Sequence, residues 1–479
     1  MAWLRAKPEL DAAGVHVFGA KFRGTPDSGW SRAPEFSARS LGRVPPATTH
    51  ARELDRRIVA IAVPALGSLV AEPLFLLVDA AIVGHLGVQQ LAALGIASQV
   101  LLTIVSLCVF LAYGTTTVVA RARGAQDQAA LGAQGAWLGA ATGVIVGAIL
   151  LLFAGPIAHL VGGHTATADL AARYLRLSAV GVAAQLIAIA GQGWLRGREH
   201  LGLALVLVLV AQAVNLVAEL VLVYGLDQGL DGSALGTVIA QCVIAVATVV
   251  LIARACRITG ASLAPAPAVL RGMVRFGGLL FVRSLSLAGS YLLLAGLAAH
   301  ISDAAEAAHL IGNNLLWLGA LALDALAIAA QVIIAGALGE QDHAGARRAA
   351  ARLLLISAGC GVLVGGVLAL AGADLVASVF SDDPAVAAAA ETLWPWLCAV
   401  QVVGGIVFAL DGILIGAEDG RALALAMVIA AASLLVSLLI IGTATLAELW
   451  AALLVMFLMR TATLSVRALR GPLQGAAVG

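Results

Sequence analysis

Charged residues are scarce in this sequence and make up only 11% of its 479 residues. A soluble globular domain carries roughly 25% charged residues and cannot hide so much apolar surface. Here 61% of the residues are hydrophobic, and the mean hydropathy is +1.00. The composition therefore excludes an ordinary soluble protein. Because no basic tract interleaved with aromatic residues occurs, we also expect no nucleic-acid partner.

Cysteine is equally scarce, with five residues scattered through apolar stretches and no CxxC spacing. This excludes a disulfide or zinc framework, and we expect no metal site. The sequence also has no HExxH motif, no GxSxG motif with catalytic partners, no P-loop and no histidine cluster. We therefore expect neither an enzyme nor a self-contained ATP-driven pump, and no bound cofactor other than a coupling ion.

Long apolar stretches follow one another from residue 57 to residue 467. Only helices satisfy their backbone groups within lipid at such lengths. We predict an all-α polytopic membrane protein with twelve transmembrane helices. The predicted spans are 57–83, 91–121, 129–153, 167–193, 201–224, 231–254, 270–299, 304–337, 346–371, 385–413, 421–442 and 445–467.

The two ends of the chain differ from the rest. Residues 1–52 hold five prolines among arginine, serine and glycine, without a continuous apolar segment, so we predict a disordered extension and not a signal peptide. Arginines concentrate in alternate loops, whereas aspartate and glutamate occupy the intervening ones. By the positive-inside rule both termini, including the tail 471–479, are cytoplasmic in an inner (plasma) membrane.

An internal repeat divides the spans into two sets of six. The segment ARARGAQD at 120–127 resembles AGALGEQD at 335–342, and GWLRG at 193–197 corresponds to GILIG at 412–416. The repeat predicts two pseudo-symmetric six-helix bundles, 53–257 and 258–470, around a central cavity. Because six is an even number, both halves have the same orientation in the membrane. Two such halves around a cavity are an arrangement found in transporters.

Polar side chains recur at one depth of the first bundle. Asn215 and Glu219 lie one helical turn apart in an apolar stretch, about 21 and 27 Å from its cytoplasmic end. The same arithmetic brings Asp79 of span 1 and Thr237 of span 6 into the outer half of the membrane. Ionisable groups at such depth are costly, which makes them candidates for function. A structural polar contact between helices is the alternative.

Several motifs carry a resemblance to the multidrug and toxic compound extrusion (MATE) family, especially its DNA-damage-inducible F subgroup. The resemblance covers residues 54–467. The motifs are VDAAIVGHLG at 78–87, YGTT at 113–116, GQGWLRG at 191–197, LDALAIAAQ at 323–331 and LDGILIG at 410–416. The resemblance implies cation-coupled efflux. It places Asp79, Asn215, Glu219 and Thr237 at the family's coupling positions. Better-known members carry aspartate where this chain has Glu219. The extra methylene of glutamate keeps the proton chemistry but alters the geometry for sodium, so the proton is favoured and sodium is the alternative.

Span 1 also contains candidates for a conformational role. Two buried carboxylates near each other favour binding of at least one proton. We expect protonation to bend this span at Pro64 or Pro73. Glu72, which precedes Pro73, is as consistent with a structural role as with a coupling role.

Candidates for the substrate cavity lie mainly in the second half. Arg283 is counted as the one arginine in mid-membrane, and Asp324 and Asp411 fall near cytoplasmic helix ends, where capping or snorkelling explains them equally well. The remaining candidates, for which an amphipathic packing stripe is an equal alternative, are Asn313, Asn314, Trp317 and Gln331.

The leading hypothesis is a secondary antiporter that exports small amphipathic organic compounds, expected to be cationic, in exchange for protons by alternating access. It is expected to work as a monomer in the lipid bilayer. One alternative is sodium coupling. Another is a flippase for lipids or lipid-linked precursors, although those resemble fourteen-span chains with several basic residues in the cavity.

Overall fold

The computed structural model describes residues 47–162, 166–471 and 473, and every regular element in this part of the chain is helical. The predicted extension and tail lie almost entirely outside it. Residues 47–52 are the exception at the N-terminal end, because they belong to the first helix. The helices of the first half are α1 (Ala47–Gly84), α2 (Val88–Cys108), α3 (Phe110–Arg121), α4 (Ala125–Gly162), α5 (Ala166–Ala179), α6 (Val182–Gly197), α7 (Leu201–Leu220) and α8 (Gly229–Thr259).

The second half begins after an irregular connection. Its helices are α9 (Pro267–Ile301), α10 (Asp303–Gly339), α11 (His343–Ala371), α12 (Ala373–Phe380), α13 (Pro384–Gly416), α14 (Gly420–Ile441) and α15 (Leu446–Arg470). Within the described residues, eleven helical segments are long and apolar enough to cross a membrane, with α2 and α3 together forming one of them. The pair α5 and α6, bent by 58°, supplies a twelfth. The predicted all-α architecture with twelve spans is confirmed on this count.

The bend in the fourth span was not predicted. It lies at Val180 and Gly181, between α5 and α6. A Cβ atom at Gly181 would lie 2.1 Å from the amide oxygen of Gln241 on α8. The side chains of Gln241 and Val238 on α8 therefore pack against the bend.

The internal repeat has a direct counterpart in helix packing. A Cβ atom at Gly193 of α6 would lie 2.5 Å from the carbonyl oxygen of Ala112 on α3, and one at Gly412 of α13 would lie 2.2 Å from that of Ala327 on α10. Ala112 and Ala327 are as far apart in sequence as residues 127 and 342 of the repeat. Gly197 and Gly416 make the equivalent approach one turn later. The two halves thus bury the same small-residue interface.

Gly412 therefore offers a stability test. Gly412→Ala is expected to lower the free energy of unfolding by about 1–3 kcal/mol, because its methyl group would press on the α10 backbone. Gly278→Ala is the control, since a Cβ atom there meets nothing within 4 Å among the described residues. Thermal unfolding in detergent measures both. Equal melting temperatures would contradict the proposed packing.

The halves meet at the end of the bundle where the loop arginines cluster, which we name the arginine-rich end. Arg121 pairs with Glu418 across the halves at 3.0 Å, and Arg123 donates a hydrogen bond to the carbonyl oxygen of Gly339. Arg352 of α11 forms two hydrogen bonds of 2.7 Å with Asp55 of α1. A cavity of about 520 Å³ lies at this end.

Candidate functional site

The candidate coupling site is built around two carboxylates, Asp79 of α1 and Glu219 of α7, which we call the acidic pair. Both are buried, with 4% and 0% of their surface exposed. The Oγ atom of Ser233 on α8 donates a hydrogen bond of 2.8 Å to Oδ1 of Asp79. Glu219 interacts with Asp79 and with Ser233, although neither of its carboxylate oxygens accepts a hydrogen bond from a described donor. Three helices therefore bring two acids together in the buried interior of the first half.

Close packing of α7 and α8 positions Glu219. A Cβ atom at Gly236 of α8 would lie 3.1 Å from the backbone nitrogen of Glu219, so α8 passes directly over this residue. The helix changes to a π-helical turn, Val221–Gly225, just after it. Such turns are frequent at functional sites. Tyr224 in this turn donates a hydrogen bond of 2.7 Å to the carbonyl oxygen of Ile82, which holds α7 against α1 near Asp79.

The two other predicted coupling residues border the acidic pair. Asn215 is 1% exposed and lies on the Glu219 face of α7, one turn earlier. Thr237, half-buried on α8, interacts with the hydroxyl group of Tyr174 on α5. That hydroxyl also interacts with Ser233. All four residues expected from the sequence thus lie in one region of the first half.

Sequence reasoning missed Ser233 and Tyr174. Ser233 precedes Thr237 by four residues, so its position on the same face of α8 was available from helical periodicity. Nothing local distinguishes Tyr174, because its approach depends on how α5 packs against α8.

Glu72 does not belong to the acidic pair, although seven residues separate it from Asp79. It is exposed, and its charged neighbour is Arg196 of α6. The helix α1 is continuous through Pro64 and Pro73 from Ala47 to Gly84. A bend at these prolines remains a prediction.

A second charged site lies in the other half. One carboxylate oxygen of Asp411 on α13 accepts hydrogen bonds from Arg283 of α9, at 2.6 Å, and from Arg460 of α15. Asp411 and Arg460 are 4% and 3% exposed. We call these three residues the charged triad. A small neighbouring cavity is lined by Tyr113, Asp324 and Gln331, together with Arg283 and Asp411 of the triad.

The triad corrects the sequence-based interpretation of this region. Arg283 is not the one arginine in mid-membrane, because Arg460 lies buried within α15. Asp411 neither snorkels nor caps a helix, since it is enclosed by two guanidinium groups. Depth along a single helix does not reveal a partner on another helix. Asp324 likewise interacts with Arg196 and Arg283 and lies 3.5 Å from the hydroxyl oxygen of Tyr113.

Gln331 connects the halves. Its Nε2 atom donates hydrogen bonds to the carbonyl oxygen of Tyr113, at 2.7 Å, and to Oγ1 of Thr117, at 2.8 Å. Thr117 in turn donates to the carbonyl oxygen of Ile415, at 3.2 Å. This residue therefore stabilises the contact between α3 and the second half.

The remaining cavity candidates are more peripheral. Trp317 is 47% exposed and packs on Tyr291, with ring centroids 5.5 Å apart. Tyr291 interacts with Arg460, so Trp317 reaches the edge of the triad through it. Asn314 is exposed and Asn313 is half-buried. Among the described residues, no group of three or more histidine, cysteine or acidic side chains could hold a metal ion.

A helical protein with many membrane-spanning segments, a duplicated six-helix half and buried charged sites in both halves has the features of a membrane transporter. Comparison with known proteins also indicates a membrane transporter. The model of the MatE family matches residues 64–221 and 280–441. The chain belongs to this family, the MATE transporters of multidrug and toxic compound efflux, which confirms the resemblance in its motifs.

Individual relatives cover almost the whole chain. DNA damage-inducible protein F of Escherichia coli is 28% identical, covering 86% of this chain and 91% of that protein. Protein DETOXIFICATION 44, chloroplastic, of Arabidopsis thaliana is 30% identical, with coverage of 85% and 81%. Among solved structures, a MOP superfamily transporter from Pyrococcus furiosus superposes with a TM-score of 0.77 at 19% identity, covering 87% of this chain and 96% of that one. The last comparison concerns the fold alone.

The flippase alternative rested on two features. The described residues supply up to twelve spans and not fourteen, which disfavours it. The argument from a single buried arginine no longer holds, because Arg460 is a second one. The assignment to an efflux family therefore comes from the family match and the span count.

Proposed function

We propose that this protein is a proton-coupled antiporter that exports small amphipathic organic compounds across the plasma membrane. In this proposal it works as a monomer in the bilayer, with both termini in the cytoplasm. The acidic pair binds and releases the coupling proton. The substrate binds between the halves, near the charged triad.

The close approach of Asp79 and Glu219 carries the proposal. Two ionised carboxylates are both acceptors, so a hydrogen bond between them requires a proton on one of them. Neither Glu219 oxygen receives a hydrogen bond from a described donor, and the pair is buried. Ionising both acids in such a place is costly. A proton shared between them removes most of that cost.

Alternating access is supported by where the halves touch. The contacts of Arg121, Arg123 and Gln331 join the halves at or near the arginine-rich end. With the predicted orientation, this end faces the cytoplasm, and the conformation is closed on that side. Protonation at the acidic pair would then change the packing of α1, α7 and α8 and bias the exchange between conformations.

The substrates are proposed to be organic and largely apolar, with cations expected, although the acids that would attract cations also have arginine neighbours. Glu72 and Asp324 lie near Arg196, and Asp411 is neutralised by two arginines. Probable multidrug resistance protein NorM of Rhizobium meliloti, 27% identical over 76% of this chain and 81% of that protein, is a relative whose name refers to drugs.

Sodium is a second candidate for the coupling ion. Oδ1 of Asn215 and both carboxylate oxygens of Glu219 have no hydrogen-bond partner among the described residues. Such oxygens are the ligands that hard cations prefer. The longer side chain of Glu219, compared with aspartate, places these oxygens differently from the family's usual pattern.

A vesicle experiment separates these possibilities. Purified protein in lipid vesicles is given either a pH gradient or a sodium gradient, and the movement of ethidium, a cationic dye, and of carboxyfluorescein, an anionic dye, is followed. We expect the pH gradient to drive ethidium transport and the sodium gradient to have little effect. Transport driven by sodium at constant pH would contradict proton coupling. Dye movement that ignores both gradients would contradict coupled antiport altogether.

A further inference from the structure

The connector between the two halves, residues 260–266, is docked on α4 of the first half. The side chain of Gln134 forms two hydrogen bonds with it. The Nε2 atom donates to the carbonyl oxygen of Ala264 at 3.0 Å, and the Oε1 atom accepts from the backbone nitrogen of Ala266 at 2.7 Å. Gln134 is 3% exposed. An amide that lost these partners would be buried without a hydrogen bond, which is costly, so the connector is held firmly.

Trp137, one turn further along α4, adds a third hydrogen bond. Its Nε1 atom donates to the carbonyl oxygen of Leu263 at 2.9 Å. Pro265 and Pro267 flank Ala266, and proline fixes the backbone angle φ and has no N–H group. The last part of the connector therefore follows a fixed path along α4 into the first turn of α9.

The helix α9 contacts both halves. Near the arginine-rich end, a Cβ atom at Gly277 would lie 2.6 Å from the ring of Phe110 on α3, and Phe281 packs on the same ring with centroids 6.4 Å apart. Towards the opposite end, Leu294 is buried in one apolar cluster with residues of α13 and α15. Between these ends α9 carries Arg283 of the charged triad.

The helix α1 makes the reverse connection. It corresponds to α9 in the repeat, and His85 and His300, which are 215 residues apart, each lie 2.7 Å from the carbonyl oxygen four residues earlier. Near the arginine-rich end, Ile58 and Ile61 are buried in one cluster with residues of α10 and α11 in the second half. Towards the opposite end, Asp79 belongs to the coupling site of the first half.

Equivalent positions of the repeat hold these two helices. Trp137 and Arg352 are also 215 residues apart. Trp137 of α4 holds the connector that leads into α9, and Arg352 of α11 binds Asp55 near the start of α1 with two hydrogen bonds of 2.7 Å. Each half therefore fastens the first helix of the other half. The second half has Ala349 at the position equivalent to Gln134, so the amide is specific to the connector.

We propose that Gln134 is a positioning residue for transport. By docking the connector on α4, it makes the arginine-rich end of α9 move with the first half. Because the opposite end of α9 is embedded in the second half, relative movement of the halves tilts α9 and shifts Arg283 against Asp411. Proton binding at the acidic pair is transmitted in this way to the triad and to the substrate near it. This inference rests on the proton coupling and the substrate position proposed above.

The test measures how strongly pH changes the affinity for ethidium. Coupling between two sites appears as a fold-change in the dissociation constant of one ligand when the other binds. The Kd of ethidium, measured by its fluorescence with protein in detergent, is expected to be about tenfold higher at pH 6 than at pH 8. In the double variant Gln134→Met with Trp137→Phe, which removes the three hydrogen bonds to the connector, this ratio is expected to fall to about two.

The acidic pair is the group that responds to pH in this range. Tyr174 of α5 is a further titratable side chain that faces the pair. A tyrosine ordinarily ionises at about pH 10, above the range of the measurement.

A matched control removes the same groups elsewhere. Gln401 of α13 donates hydrogen bonds to the carbonyl oxygens of Leu315 and Leu316, and Trp394 donates one to that of Leu368. The double variant Gln401→Met with Trp394→Phe therefore also loses three hydrogen bonds, all within the second half. It is expected to keep the pH dependence of ethidium binding.

A nitroxide label reports directly on the docking. Ser262 is an exposed residue of the connector, and Ser262→Cys in a background without the native cysteines allows it to be labelled. The electron paramagnetic resonance spectrum is expected to show a more mobile label when Gln134→Met and Trp137→Phe are added. Gln134→Glu keeps the acceptor for the N–H group of Ala266 and loses only the donor. It is expected to have a smaller effect in both measurements, and it replaces the double variant if that variant does not fold.

The outcomes separate this inference from the proposed function. If the Kd of ethidium for the unsubstituted protein does not depend on pH, the proton coupling itself is wrong, and the inference fails with it. If the Kd depends on pH equally in the unsubstituted protein and in the Gln134 variants, or if the label is no more mobile, the inference is wrong and the coupling proposal stands. An equal loss of pH dependence in the control variant would also contradict the role of the connector.

Discussion

Asp79→Asn is expected to abolish pH-driven efflux, with a rate loss of about a hundredfold or more, while the protein remains inserted in the membrane. The asparagine oxygen can still accept the hydrogen bond from Ser233, so local packing is retained. Unlike a carboxyl group, the amide of asparagine does not bind and release a proton near neutral pH. Ethidium efflux from vesicles with an imposed pH gradient measures the effect.

Asp127→Asn serves as the control for this prediction. Asp127 is an exposed acid in the first turn of α4, remote in sequence from the coupling site. Its substitution should leave pH-driven efflux unchanged. Efflux at the normal rate from Asp79→Asn vesicles would show that proton coupling occurs elsewhere.

Asp411→Asn is expected to be the most destabilising change at the charged triad. It would leave the buried guanidinium groups of Arg283 and Arg460 facing each other without their shared carboxylate. Removal of one partner from a buried ion pair costs about 3–5 kcal/mol, because the remaining charge is uncompensated. Thermal unfolding in lipid nanodiscs should show a markedly lower midpoint.

Two further variants test this reason. Combining Asp411→Asn with Arg460→Met removes one of the stranded charges and should recover part of the lost stability. Asp55→Asn disrupts a surface ion pair with Arg352 and should leave the midpoint nearly unchanged. If Asp411→Asn unfolds at the normal temperature, the triad does not stabilise the second half.

Features that depend on a single helix could be read from the chain. Twelve spans follow from apolar length, and the level of Asp79 and Glu219 follows from a constant rise per residue. The repeat was visible because duplicated halves retain the same glycines at the same helix contacts. Gly193 and Gly412 approach equivalent carbonyl groups for this reason.

Features that depend on several helices could not be read in this way. Which face of α15 turns inward, and hence the burial of Arg460, is decided by packing against α9, α13 and α14. The approach of Tyr174 to Ser233 depends on the fit of α5 against α8, and the contact of Gln241 with the bend at Gly181 also joins two helices that are far apart in sequence.

The sequence by itself therefore indicated the family through its motifs, the spans through their apolar length and the duplication through repeated segments, and it predicted a depth for the candidate coupling residues from the constant rise of a helix. Only the tertiary structure showed that Asp79 and Glu219 lie next to each other and that Glu72 lies apart from them. It also showed that Asp411 forms ion pairs with two arginines. Rotation and tilt of each helix are set by contacts between residues far apart in the chain, and a one-dimensional pattern does not contain them.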